Sequence, residues 1–178
     1  MARRTVLGAW TGTAPEHLVF VDGPHGKPAL PGGPEFNVSH SGDAVLIGVV
    51  DGIPIGVDVE RVREKPNLDG IARRFFSAPE AAYLESLAPE ARTNAFYRLW
   101  TLKEALVKAI GTGIAGNLSQ TEVDTATLLD EHPRFLRVPS EAGDPERLGV
   151  FTFEALPGHL AAAVTLSHVT FTVRKFPI

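Results

Sequence analysis

The chain has 178 residues and a mass of 19.1 kDa, with 44% apolar and 21% charged residues, the profile of one ordinary domain or of two small lobes sharing a core. That balance excludes wholesale disorder, and no eighteen-residue apolar run offers a transmembrane helix. Cysteine is absent, which removes disulfides, thiolate metal sites and a cysteine nucleophile, and a net charge of -4 with pI near 5.9 argues against a nucleic-acid binder. Lysine is scarce, 5 against 12 arginines, so each lysine is informative.

Arg3-Arg4 ahead of Val6 to Trp10 imitates a twin-arginine export signal. Its apolar stretch is only about five residues, short of the roughly 7–15 that such a segment needs, so a cytoplasmic location is expected. Arg3 to Trp10 itself reads as the end of a helix. His17 to Val21 reads as a strand stopped by Asp22-Gly23-Pro24, and the Gly/Pro-rich stretch 23–34 as a loop. Phe36 to Val38 is extended and leads into a turn at Ser39-His40-Ser41-Gly42-Asp43. Ala44 to Val50 and Ile53 to Glu60 flank Asp51-Gly52, which predicts a hairpin.

Helical signals follow. Asp69 is placed to cap a short helix through Phe76, and Ser77-Ala78-Pro79-Glu80 has capping-box spacing. Residues 91–110 predict a long amphipathic helix stopped by Gly111 and Gly113. Strands return at Thr121–Asp124, Arg134–Val138, Gly149–Ala155 and Leu160–Leu166, with a last alternating segment at Val169–Phe176. The order predicts an α+β fold with antiparallel hairpins packed on one long helix.

Three segments carry possible chemistry. In Ile55-Gly56-Val57-Asp58-Val59-Glu60 a strand sends Gly56, Asp58 and Glu60 to one face, two carboxylates about 7 Å apart beside an open glycine. Such a pair suits a hard divalent cation, although the spacing alone also describes a solvated strand face. In the long helix, Lys103 falls within the apolar stripe and needs an acidic or phosphate partner, whereas Glu104 and Lys108 make an ordinary (i, i+4) pair at its edge. The segment Phe36-Asn37-Val38-Ser39-His40-Ser41, preceded by Gly26-Lys27-Pro28, offers amides, hydroxyls and an imidazole to an anion. A G-x-S-x-G elbow is lacking, which argues against a serine hydrolase. Together these acids and lysines point to a Mg²⁺-assisted phosphate or phosphoryl site. A metal nuclease is disfavoured because Arg61 and Val62, not a lysine, follow the acidic pair.

Taken in order, Gly26-Lys27-Pro28, FNVSHS (36–41), IGVDVE (55–60), RFFSAPE (74–80) and WTLKEALVKAIGTGI (100–114) resemble the 4'-phosphopantetheinyl transferases of the surfactin-synthetase type, over roughly residues 3–166. The resemblance implies transfer of the phosphopantetheine arm of coenzyme A to a serine on an acyl or peptidyl carrier protein, releasing adenosine 3',5'-bisphosphate. It implies Mg²⁺ held by Asp58, Glu60 and Glu104, and a catalytic set of Glu104, Asp58, Lys108 and Lys103, with Glu104 helping to deprotonate the attacking serine. Gly26, Lys27 and Pro28 would line the adenine end of CoA, Asn37 and Ser39 would shape the loop beneath, and His40 and Lys108 would contact phosphates.

The implied fold is a pseudo-twofold pair of small α+β lobes, residues 1–54 forming a partial first lobe and 55–178 the second. Relatives of this type carry more residues ahead of the Arg3–Trp10 segment, so an incomplete first lobe and self-association are expectations, as is the alternative of an inactive CoA- or carrier-binding relative. The basic run Arg61, Arg63, Lys65, Arg73 and Arg74 suits an acidic carrier. No nucleic-acid or membrane partner is expected.

Overall fold

The computed structural model describes residues 2–23, 26–64, 67–112 and 118–176. The chain opens with helix α1 (Ala2–Thr11) and a short ladder of β1 (Val21–Asp22) with β2 (Pro28–Ala29). A hairpin follows, β3 (Glu35–Ser41) and β4 (Ala44–Val50), turned at Gly42-Asp43. Strand β5 (Ile55–Arg61) leads into helices α2 (Leu68–Phe75), α3 (Ala78–Ser86) and α4 (Pro89–Ile110). The remainder holds a small ladder of β6 (Glu122–Val123) with β7 (Phe135–Arg137), then the hairpin β8 (Gly149–Leu156) and β9 (His159–Thr165). All of these pairings are antiparallel, and β5 joins the last hairpin in a sheet of order β5-β9-β8. The class is α+β, as the order of sequence signals predicts.

The hairpin expected across Asp51-Gly52 does not form. Strand β4 pairs with β3 and β5 pairs with β9. The reason lies on the free edge of β5, where side chains of β3 meet the backbone. The amide of Val57 donates to Asn37 Oδ1 at 3.0 Å, that of Val59 to Ser39 Oγ at 3.3 Å, and that of Arg61 to Ser41 Oγ at 3.1 Å. With these three amides already bonded, they are not donors for a backbone ladder to β4. His40 and Ser41 correspondingly belong to β3 rather than to a turn.

Two further strand expectations are not met in full. Of the strand expected over His17–Val21, His17 ends a 3₁₀ turn and only Val21 is paired, together with Asp22 of the expected turn. The segment Val169–Phe176 makes no strand, because the outer edge of β8 is already occupied: Thr152 donates its amide to Glu131 O at 2.8 Å. Phe171 stacks on Phe151 instead, ring centroids 5.5 Å apart.

Helix boundaries follow local chemistry. At α3 the capping box forms, Ser77 N–H donating to Glu80 Oε2 at 2.7 Å while Ser77 Oγ accepts from the Glu80 amide. The N-cap of α2 is Asn67 rather than Asp69; Asp69 sits in the first turn and accepts from Arg92. Gly111 ends α4 at φ 81°, a left-handed cap that glycine adopts without strain, while Gly113 lies outside the described residues.

Helix α4 was expected to be amphipathic, yet every residue from Thr101 to Val107 is buried. This stretch is enclosed because one face lies on the sheet and the rest is covered by residues such as Phe76, Leu84, Leu128 and Phe135, while the first turns of α4 keep an exposed face. The opposite sheet face, with Val57, Val59, Ala161 and Ala163, is covered by Leu46 and Val50 of β4. Both faces of β9 are therefore covered, and all seven of its residues are buried. Among the described residues, no helix is long and apolar enough to cross a membrane.

Candidate active site

The seat of α4 on β5 is set by one missing side chain. A Cβ on Gly56 would overlap Ala105 O, Ala109 N and the Lys108 backbone, so the helix settles on the strand at a distance that only glycine permits. Asp58 and Glu60 share the Gly56 face by the two-residue period of β5. They are thereby presented to the turn of α4 that carries Glu104 and Lys108. A cleft of about 310 Å³ opens there, lined by Val38, Ser39, His40, Asp58, Glu60, Trp100, Glu104 and Lys108.

Asp58 is 4% exposed and anchors the floor. Its Oδ1 accepts from Lys108 Nζ at 2.6 Å and from Ser39 Oγ at 2.8 Å. Its Oδ2 is buried without a partner among the described residues, and so is Glu104 Oε1. Two orphaned carboxylate oxygens beside each other's charge are costly, and the titration of both groups reflects it. Burial raises the Asp58 carboxyl, with Lys108 and Ser39 opposing. Burial, then Asp58 and also Glu60, push Glu104 up to about 7 against the pull of Lys108. Glu60 is half-buried and accepts from Ser41 Oγ at 2.9 Å. His40 is exposed on the rim.

The arrangement brings together Asp58, Glu60, Glu104, Lys108, Ser39 and His40. It does not bring in Lys103. That ammonium is 0% exposed and paired with Glu80 Oε2 at 2.7 Å, donating also to Leu118 O and Thr121 O at 2.8 Å. The acidic partner that Lys103 requires exists, but it is Glu80 of α3 and not the cleft acids. Glu80 completes its own set by accepting from Ser77 N and Val123 N, so one carboxylate closes a capping box, an ion pair and a strand end. Lys103 holds α3, α4 and the 118–123 segment together; the expectation that it faces the cleft acids is corrected.

Gly26, Lys27 and Pro28 do not line this cleft either. Lys27 Nζ donates to Ile55 O and to Lys108 O, both at 3.1 Å, which pins its loop to the start of β5 and the last turn of α4. Burial lowers its titration, with Glu35 opposing. Asn37 lies beneath, bonded to the Val57 amide. Among the described residues, no three His, Asp or Glu side chains converge closely enough to make a ready cage for a metal ion. Asp58 Oδ1 is instead turned to Lys108 and Ser39.

Sequence reasoning passed over Glu80 and Ser41 as contributors. The alternation Asn37-x-Ser39-x-Ser41 is the available signal for Ser41, since it puts three short polar side chains on one strand face.

Residues 54–157, from the approach to β5 through the end of β8, match the model of the 4'-phosphopantetheinyl transferase superfamily. The chain is 38% identical over 117 residues to a 4'-phosphopantetheinyl transferase of Bacillus subtilis, covering 65% of this chain and 51% of that protein. It is 38% identical over 125 residues to 4'-phosphopantetheinyl transferase HetI of Nostoc sp., covering 67% and 52%. To 4'-phosphopantetheinyl transferase AcpT of Salmonella typhi it is 35% identical over 142 residues, 72% of each. The chain thus spans about half the length of the Bacillus and Nostoc relatives. The matched segment contains the cleft's three acids and Lys108, and with that the chain belongs to the 4'-phosphopantetheinyl transferase superfamily.

Proposed function

We propose that the protein transfers the 4'-phosphopantetheine arm of coenzyme A to a serine of an acyl or peptidyl carrier protein, with Mg²⁺, releasing adenosine 3',5'-bisphosphate. The observation that carries this reading is a pair of buried carboxylate oxygens with no partner among the described residues, Asp58 Oδ2 and Glu104 Oε1, in a cleft that also holds Glu60 and Lys108. Hard oxygen donors of net negative charge suit Mg²⁺, and Asp58, Glu60 and Glu104 are the residues that would hold it. When bound, the ion would neutralise charge on the pyrophosphate of CoA.

The side chains divide the remaining work. Lys108 keeps an ammonium beside Asp58, where it meets a phosphate oxygen entering the cleft. His40, on the rim, reaches the outer phosphate. Glu104, directly or through a water, would help to take the proton of the attacking serine hydroxyl. Trp100 forms an apolar wall that limits water at the reacting end.

The test is direct. A purified apo carrier protein incubated with this chain, CoA and Mg²⁺ gains the mass of one phosphopantetheine by intact-protein mass spectrometry. No gain at saturating CoA and metal, with a longer relative active on the same carrier, refutes transfer.

A further inference from the structure

We infer that Ser41 is a positioning residue for the cleft's metal-binding carboxylates, acting with Ser39 as the second rung of a repeated device. The argument rests on proton bookkeeping. The Arg61 amide has a hydrogen only to give, and gives it to Ser41 Oγ at 3.1 Å. The single hydroxyl proton of Ser41 is therefore free to point at Glu60 Oε2, 2.9 Å away. One rung earlier the pattern is the same. The Val59 amide and the Lys108 ammonium donate to Ser39 Oγ at 3.3 and 3.2 Å, which fills its lone pairs and commits its proton to Asp58 Oδ1 at 2.8 Å.

Each serine thus reads the backbone of β5 and uses that fix to aim the carboxylate one residue back. The repeat matches two strands with a two-residue period, S-x-S of β3 against D-x-E of β5. The rung before them differs in kind: Asn37 accepts from the Val57 amide, and the residue that precedes Val57 is Gly56, which has no side chain to aim. A glutamate free to explore its three torsions must be ordered each time an ion arrives. Ser41 removes much of that search for Glu60, which nothing else on β3 does.

This inference rests on the reading of the cleft given under Proposed function, and its experiment separates the two. Mn²⁺ binding to the full chain is followed by electron paramagnetic resonance for the parent, Ser41→Ala and Ser41→Thr, with thermal melts of each. Ser41→Ala is expected to weaken Mn²⁺ about 10-fold, the usual scale for losing a group that orients a metal ligand, while Ser41→Thr keeps the hydroxyl and stays within about 3-fold of the parent. In the transfer reaction Ser41→Ala raises the metal requirement and leaves kcat at saturating metal within about 2-fold, since the orientation and not the ligand is lost. Equal Mn²⁺ affinity in parent and Ser41→Ala overturns the inference alone. A parent chain that binds no Mn²⁺ sinks the metal reading of the cleft and the inference with it.

Discussion

Gly56→Ala is the smallest change that tests how the cleft is assembled. A methyl at this position overlaps the backbone of Ala105, Lys108 and Ala109, not the ends of flexible side chains, so no rotamer change relieves it. Restoring ordinary contact forces α4 away from β5 by on the order of 1 Å in an interior packed as tightly as a crystal. Overpacking of this kind costs about 3 kcal/mol at the upper end of its range. Alanine recovers about 0.5–1 kcal/mol of the backbone entropy that glycine loses in a strand. The net is about 2 kcal/mol, which for a chain of this size lowers Tm by about 4–8 °C. The functional effect exceeds the thermodynamic one, because Glu104 and Lys108 ride on the displaced turn while Asp58 does not; misplacement by 1 Å reduces transfer about 10²-fold. Differential scanning fluorimetry and the carrier-protein mass assay, run below the lower Tm, measure the two effects separately. A variant that melts at or above the parent's temperature refutes the claim that α4 is seated on this glycine.

Three other outcomes follow from the electrostatics. Lys103→Met destabilises the protein by about 3–5 kcal/mol in urea melts by stranding Glu80, whereas transfer per folded molecule is retained; loss of transfer in a fully folded sample would return Lys103 to the cleft chemistry. Glu104 holds its proton up to about 7 in the folded protein against an ordinary value of 4.5, so its charge destabilises the fold increasingly from pH 4.5 to 7 and fully above that. With chelator present, Glu104→Gln should therefore add little stability at pH 5 and most at pH 8, up to about 3 kcal/mol in urea melts, and a pH-independent difference contradicts the assignment. His40→Ala raises the KM for CoA with little change in kcat, read from initial rates; a fall in kcat alone would move His40 from the rim to the reacting centre.

The elements legible in the sequence were those specified by local chemistry. The capping box at Ser77, the stop at Gly111 and the shared face of Gly56, Asp58 and Glu60 all needed only spacing and residue type. What failed depended on partners far along the chain. The partner of β5 was misread because the signal at Asp51-Gly52 is local, while the decisive groups are side chains of Asn37, Ser39 and Ser41 some twenty residues upstream. The place of Lys103 in the apolar stripe calls for an acidic or phosphate partner, yet periodicity does not tell on which covered face that partner stands. For Lys27 the surprise is of the same kind: a scarce lysine near a glycine-rich loop suggests an anion, but its ammonium is spent on two carbonyls.

The join between β3 and β5 has one more consequence. Hydrogen bonds of an ordinary sheet run from main chain to main chain and are indifferent to which residues carry them. Here three particular side chains stand in for a neighbouring strand, so emptying positions 37, 39 and 41 together would uncover a row of amide donors with no replacement at hand. Such a bare border recruits strands from other molecules, and the first symptom of that triple change would be insoluble material rather than a slower reaction.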